Sequence, residues 1–370
     1  MALVETRRSV GLHLRAVPLP EGIERDIFVV DGRITFQAPE EMKTVFEGGY
    51  VIPGLVDAHA HLALASPAPP RATPEERVRA SARAHLDAGV LLVREPGSPD
   101  RASAGIGPRE GLPRVHSGGQ FLAPPNRYFP GLTRAVPEEA LPDAAEEEAR
   151  ASGAWAKVIG DWPDSDGRMR PNYPTQALTE AARRVHAAGA RIAVHATSVE
   201  SIEAAIEAGF DSIEHAEGLQ DDHITAMAER GIALVPTLTI LPMLPVAVVD
   251  MGLKGTGLQA MLSAIRRHPE MVGRAAEAGV LVLAGTDAGM GPHGMIREEI
   301  RHLADAGLRP EAALAAGSWE ARRFLGLPGL EEGAPADLVA YPDDPRRNLG
   351  VLAHPSLRIL DGRLFSSPPL

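Results

Sequence analysis

Cysteine is missing from this 370-residue chain, which excludes disulfides, thiolate nucleophiles and thiolate metal ligands. Any bound metal must then be held by imidazole, carboxylate or a less usual group. Lysine is nearly missing too. Lys43, Lys157 and Lys254 are the only three among 37 basic residues, the other 34 being arginine. Positive charge is not in excess: the net charge of -12 opposes binding to nucleic acid or anionic membrane, and a small-molecule substrate is the expected partner. No long hydrophobic run survives inspection, because Pro236, Pro242, Pro245 and Asp250 interrupt the apolar stretch 234–253. Residues 1–21, with Arg7, Arg8 and Arg15, lack the continuous apolar segment of a secretory signal, so a cytoplasmic protein is expected.

What is present reads as a globular enzyme-sized chain, 44% hydrophobic and 23% charged. A homo-oligomer is left open. From residue 51 onward, eight short apolar runs alternate with Ala-rich stretches bearing Arg and Glu; the runs lie at 51–61, 90–94, 113–117, 155–159, 191–195, 211–215, 233–238 and 280–286. Helices are predicted between them at 74–88, 178–188, 198–208, 221–230 and 258–278, several followed by a capping glycine (Gly89, Gly189, Gly209, Gly231, Gly279). Eight strand-helix units predict an α/β protein whose residues 51–329 close into a (β/α)8 TIM barrel. An open doubly wound sheet is the alternative. Residues 1–50 and 330–370 read as strands and turns, and the two ends are expected to pair into a small β-sandwich domain without chemistry of its own.

In a barrel of this kind the loops after the strands form the mouth, so functional groups belong at strand C-terminal ends. His59 and His61 end the first run and, with strand side chains alternating, face the same side. Two neutral imidazoles on one rigid element suit zinc or a similar divalent ion. His195 ends the fifth run, His215 the sixth, and Asp287 follows the eighth. Lys157 lies inside the fourth run, where an apolar setting favours its neutral amine, and a neutral amine can take up carbon dioxide to become a carbamate able to bridge two metal ions. The plainer readings are core histidines, a lysine paired with a carboxylate, and an aspartate helix cap. His116 is ambiguous, whereas His13, His85, His186, His223, His268, His302 and His354 read as solvated.

Ile52-Pro53-Gly54-Leu55-Val56-Asp57-Ala58-His59-Ala60-His61, Ser212-Ile213-Glu214-His215, Val235-Pro236-Thr237-Leu238 and Gly285-Thr286-Asp287-Ala288-Gly289 resemble signature segments of the amidohydrolase superfamily, nearest its Xaa-Pro dipeptidase (prolidase) and imidazolonepropionase-like branch. The resemblance implies a binuclear, usually zinc, site. One ion would sit on His59, His61 and Asp287 and the other on His195 and His215, bridged by carbamylated Lys157 and a hydroxide. The chain departs from the dipeptidase branch after the third run, reading Ser117-Gly118-Gly119-Gln120 where relatives often carry Gly-Gly-His.

The expected reaction is cleavage of an amide C–N bond by that hydroxide, with Asp287 as general acid/base. Arginine among aromatics in the mouth loops suits a substrate carboxylate beside an apolar group, which suggests a dipeptide or N-acyl amino acid. Arg94, Arg127, Tyr128, Trp162 and His293 are the candidate substrate contacts, although the arginines also read as surface charges. A cyclic amide is the second substrate class. A mononuclear deaminase would need a carboxylate shuttle near Ala196-Thr197-Ser198-Val199, where only Glu200 is close, and a metal-free scaffold would have lost ligands.

Overall fold

A computed structural model describes residues 10–366, so the readings made for Arg7 and Arg8 and for the extreme C-terminus lie outside the described residues. The chain has an α/β fold dominated by parallel strands. Leu55–Asp57, Val90–Glu95 and Arg114–Ser117 form one parallel sheet. A second runs in the order Ala233–Val235, Ser212–His215, Arg191–Ala196, Trp155–Ile159, Phe121–Ala123 and Thr133–Ala135. A parallel bridge between Ser98 and Gln120 links the two. Segment 280–288 lies against both other margins: Val282 bridges Leu234, Ala288 bridges Ala60, and the Ala58 amide donates to the Ala284 carbonyl at 2.9 Å.

The strands are continuous apolar runs because both of their faces are covered. Leu91, Val93, Val158, Ile192, Val194 and Ile213 pack in one core with helix residues such as Leu86, Val185, Ile202, Ile206 and Ile300. Burying a side chain of this size contributes about 1.5–3 kcal/mol. The five glycines expected to cap helices all adopt positive φ, between 69° and 89°. Among the described residues, no helix is long and apolar enough to cross a membrane.

The chain ends meet in one seven-stranded sheet, ordered Arg363–Ser366, Leu357–Leu360, Leu338–Tyr341, Met42–Pro53, Gly11–Pro18, Arg25–Val30 and Arg33–Thr35. Leu14, Ile27, Val29, Ile34, Leu338, Ala340 and Ile359 gather in a single apolar cluster beneath it. Buried Asp337 accepts from Arg114 at 2.7 Å and Arg322 at 3.4 Å, which ties the terminal segment to the parallel strands.

Two predicted strands need correction, and one observed strand lies outside the predicted runs. Residues 51–53 belong to the terminal sheet, with Val51 opposite Ala340, and the chain leaves that sheet at Gly54, where an added Cβ would lie 2.5 Å from Leu91 Cδ1. Run 280–286 makes isolated bridges in place of a regular strand, and its Gly285 is pressed so closely on His59 that an added Cβ would stand 2.7 Å from the His59 Cβ. Phe121–Ala123, hidden in the sequence between Gly118-Gly119 and Pro124-Pro125, supplies the neighbour of Trp155–Ile159.

Candidate metal centre and the chamber beside it

Parallel register brings the fourth to sixth predicted runs to a common level. Ile159 lies beside His195, His195 beside Glu214, and Ala196 beside His215, while Lys157 sits beside Ala193, two residues deeper. The long lysine side chain covers that depth, and its charge acts on His59, His195, His215 and Asp287. Strand alternation alone would send Glu214 and His215 to opposite faces. His215 has φ +68°, and this left-handed turn re-aims its ring. Thr237 and Asp287, at the ends of the next two segments, also have positive φ, at 49° and 52°. Such conformations cost about 1–3 kcal/mol each and persist where surrounding structure enforces them.

The donor atoms converge. His59 Nε2 lies 3.1 Å from His61 Nε2, and Asp287 Oδ1 lies 3.4 Å from the former and 3.2 Å from the latter. Ligands about 2.1 Å from one tetrahedral ion stand about 3.4 Å apart, so this triangle has the right size for a divalent cation. His59, His215 and Asp287 likewise offer donor atoms within 4.8 Å of one another. The His215 ring centroid is 4.9 Å from that of His59 and 4.7 Å from that of His195.

The far ring nitrogens are anchored, which fixes which nitrogen faces the centre. His59 Nδ1 meets Glu214 Oε2 at 2.7 Å, His61 Nδ1 meets the Gly97 carbonyl at 2.9 Å, and His215 Nδ1 meets Thr237 Oγ1 at 2.9 Å. Burial lowers His59 and His195 to about 4 and His215 well below its usual range, so all three imidazoles are neutral at pH 7, the form that can ligate a metal. Burial alone would raise Asp287, but the His61 hydrogen bond and the charges of His59, His61 and Lys157 bring it to about 2. Burial, reinforced by Arg94 and opposed by Glu214 and Asp287, lowers Lys157 to about 8. Its Nζ is buried without a hydrogen-bond partner. An orphaned amine among neutral imidazoles is the donor chemistry that a carbamate and cations would complete.

Sequence reasoning assigned no role to Glu214, Asp161, Asp57 or Glu217. Fully buried Glu214 accepts from His59, from Arg94 at 2.7 Å and from Ser212 at 2.6 Å. Asp161 lies 3.6 Å from His195 Nε2 and accepts from the Thr197 and Ser198 amides at 2.8 and 2.7 Å. Asp57 joins the two ligand segments, accepting from the His59 amide at 3.2 Å and from the Thr286 hydroxyl at 2.6 Å. Glu214, Asp57 and Glu217 had one sequence signal, a position next to or two residues from a predicted ligand, and Asp161 lies four residues past Lys157, just beyond the end of its run. Substituting Glu214→Gln is expected to weaken metal binding about 10–100-fold, measured by competition with a chromophoric chelator, because the acceptor that orients His59 loses its charge.

The substrate contacts expected from sequence separate into two groups. Tyr128 and Trp162 line a small chamber of about 60 Å3 together with Phe129, Ile240, Leu244, Val248 and four methionines, and His195, His215, Glu217 and Asp287 lie in its wall. Arg94, Arg127 and His293 are engaged elsewhere. Arg94 is fully buried beneath the histidines, holding Glu214 and stacking over Trp155 at 4.2 Å. Arg127 braces the mouth loop through Asn172 and the carbonyls of Trp162, Pro163 and Arg170. His293 spans His85 at 3.2 Å and the Leu64 carbonyl at 3.0 Å. His13, His85, His223 and His268, expected in solvent, are buried, and burial lowers the pKa of the last three. Half-buried His116 lies among Arg191, Arg114, Arg322 and Arg94, away from the centre. Gln120 turns its amide to the Pro99 carbonyl, so the departure after the third run adds no ligand.

An uncharacterized protein of Mycobacterium tuberculosis is 42% identical over 361 residues, 97% of this chain and 96% of its own. A crystal structure of a Xaa-Pro dipeptidase with bound methionine in the active site superposes with TM-score 0.78 at 20% identity, covering 96% of this chain and 100% of that one. Aspergillus niger ochratoxinase superposes equally well, TM-score 0.78 at 19% identity, over 97% of this chain and 96% of that one. The fold is therefore shared with chains whose sequences have diverged widely. The motif segments around His59, His215 and Asp287 all fall within residues 50–360, the stretch matched by the model of the amidohydrolase family, and the chain belongs to that family.

Proposed function

We propose that the chain is a metal-dependent hydrolase that cleaves a carbon–nitrogen bond, built as a (β/α)8 barrel over residues 51–329, whose first three residues pair in the terminal sheet, with a small β-sandwich domain from residues 1–50 and 330–370. The bridges that segment 280–288 makes to Leu234 and Ala60 support the closed barrel. The single seven-stranded sheet and its shared apolar cluster support a small β domain built from both termini. His59, His61 and Asp287 would hold one ion, His195 and His215 a second, with Lys157 as its carbamate between them. Zinc suits a set of imidazoles and carboxylates without thiolate. The observation that carries this reading is the donor triangle of His59, His61 and Asp287, with edges of 3.1–3.4 Å, facing the orphaned amine of Lys157.

When bound, the ions supply a water of lowered pKa and polarise the substrate carbonyl. Asp287 accepts the proton of the attacking water at its carboxylate and returns it to the leaving nitrogen. Glu214 and Thr237 keep the rings of His59 and His215 turned to the centre. Tyr128, Trp162 and the methionines seat an apolar group and exclude water around the scissile bond. The chamber wall has no arginine or lysine, so the carboxylate recognition expected there is not supported. An adjoining groove shares Met169, Thr197 and Met261 with the chamber and carries Arg168 and Arg170. We therefore read the substrate as a small molecule of the dipeptide or N-acyl amino acid kind, its apolar group inward and any carboxylate towards the groove. Purified protein is expected to carry about two metal ions per chain and to hydrolyse members of a dipeptide, N-acyl amino acid and lactam panel with zinc and bicarbonate present. About one ion, with ammonia released from an amino-substituted ring, would instead make it a deaminase.

A further inference from the structure

Glu217 is the one feature of the chamber that the hydrolase reading leaves unused. It follows His215 and Ala216, whose φ values of +68° and +63° swing the chain across the end of the strand. Gly218 then passes so close to the neighbouring turn that an added Cβ would lie 2.7 Å from the Thr197 carbonyl. This double turn sets the Glu217 side chain in the chamber wall, 3% exposed, and its Oε2 has no hydrogen-bond partner. Three other buried carboxylates near the centre differ from it: Asp57, Asp161 and Glu214 each accept two or more hydrogen bonds from protein groups. Chain folding thus satisfies three acceptors and leaves one open towards a cavity of otherwise apolar character. An unpaired buried carboxylate is costly, and a partner that brings a positive hydrogen-bond donor removes the cost. Among the described residues the wall has no arginine or lysine, so, apart from the metal ions themselves, a positive partner for Glu217 is a group of the ligand.

We propose that Glu217 is a specificity-determining residue that binds a free amino group of the substrate, beside an apolar side chain seated among Tyr128, Trp162 and the methionines. The assignment deepens the hydrolase reading and rests on it for the scissile bond. It makes the substrate an aminoacyl amide with a large apolar residue at its amino end. An N-acylated amino acid lacks that amine and is a poor substrate. The four methionines, Met169, Met251, Met261 and Met290, give the chamber an adaptable surface, so branched, linear and aromatic side chains are all accepted.

The test has a binding arm and a kinetic arm, both on the metal-loaded protein. Calorimetry compares 3-methylbutylamine with 3-methylbutanol, which share the apolar group and differ in the amine, for the parent and for Glu217→Gln. The parent is expected to bind the amine at least tenfold more tightly, and the variant to lose that preference. Because the ions are common to both proteins, the change on substitution isolates the carboxylate. Equal binding of the two probes by the parent, which needs no variant, would overturn the assignment. So would a preference that survives in a folded Glu217→Gln, or loss of a metal equivalent in that variant, which would make Glu217 a ligand. In the kinetic arm, leucyl-alanine is expected to exceed 4-methylpentanoyl-alanine at least tenfold in kcat/KM, through KM, and the ratio is expected to collapse in the variant. An amine preference in binding with no hydrolysis of either compound would sink the hydrolase reading and keep the amine site; hydrolysis of both at one rate would do the reverse.

Discussion

Lys157→Ala is expected to lower kcat/KM at least about a thousandfold, equivalent to about 4 kcal/mol of transition-state stabilisation, and to reduce bound metal from two equivalents towards one. The expectation rests on what the side chain lacks. Lys157 Nζ is buried with no hydrogen-bond partner, and the counter-charge that acts on it most strongly, Glu214, is already held by His59, Arg94 and Ser212. A lysine kept for a structural ion pair would be bonded to that carboxylate, and its removal would lower stability. Here the sign is reversed. Burial brings the amine to about 8 from 10.5, so keeping it protonated in the folded, metal-free protein costs stability below about pH 8, and the cost disappears as pH rises to about 10.5. Metal-free parent should thus gain on metal-free Lys157→Ala between those pH values in parallel thermal melts. On the proposed reading the neutral amine would add carbon dioxide and release one proton, giving an anion where a cation would otherwise oppose the ions. Acetate or propionate added to the variant should restore part of the activity, and an unchanged rate in Lys157→Ala would remove the bridge from the scheme.

The candidate ligands were more legible in the sequence than their supports, for a physical reason. His59, His61, His195, His215 and Asp287 could be placed because each follows an apolar run, and in parallel strands with covered faces such runs stand out against Ala-rich helices closed by glycine. Their supports join distant parts of the chain. Glu214 anchors a histidine 155 residues away, and Asp57 accepts from Thr286 across 229 positions. No local periodicity records a contact of that kind. Glu214 lay inside a quoted motif and was still overlooked, because a strand end read by alternation has room for one inward group, and the left-handed φ of His215 makes room for two.

The same limit explains the substrate arginines. A guanidinium near aromatic residues reads identically whether it faces a ligand or ties down a loop, and Arg127 does the latter by donating to three backbone carbonyls. Arg94 was drawn inward by Glu214, whose position could not be known without the fold. Segment 280–288 failed as a strand because it is wedged between two margins, and its bridges to Leu234 and Ala60 are too sparse for a ladder. Its functional end was nevertheless legible, since Gly285-Thr286-Asp287 needs a glycine where the backbone presses on His59.

Asp287→Asn is expected to lower kcat at least about a thousandfold while the fold is retained. Asparagine tolerates the left-handed φ of +52° at this position, so the backbone strain is not increased. The Asp287 amide still donates to the His59 carbonyl at 2.8 Å, so the loop stays in register. The losses are one anionic donor at 3.2–3.4 Å from two imidazoles and the only carboxylate of the triangle that can carry a proton between water and leaving nitrogen. Near pH 7 the parent side chain is always charged, since the metal-free group titrates at about 2, and it is therefore ready both to ligate and to accept a proton. The variant can do neither well. Two measurements separate the roles: metal content reports ligation, and kcat at saturating zinc reports proton transfer. If Asp287→Asn refilled with zinc recovered kcat to within tenfold of the parent, Asp287 would be a ligand alone, and the proton would have to travel through another group in the chamber wall.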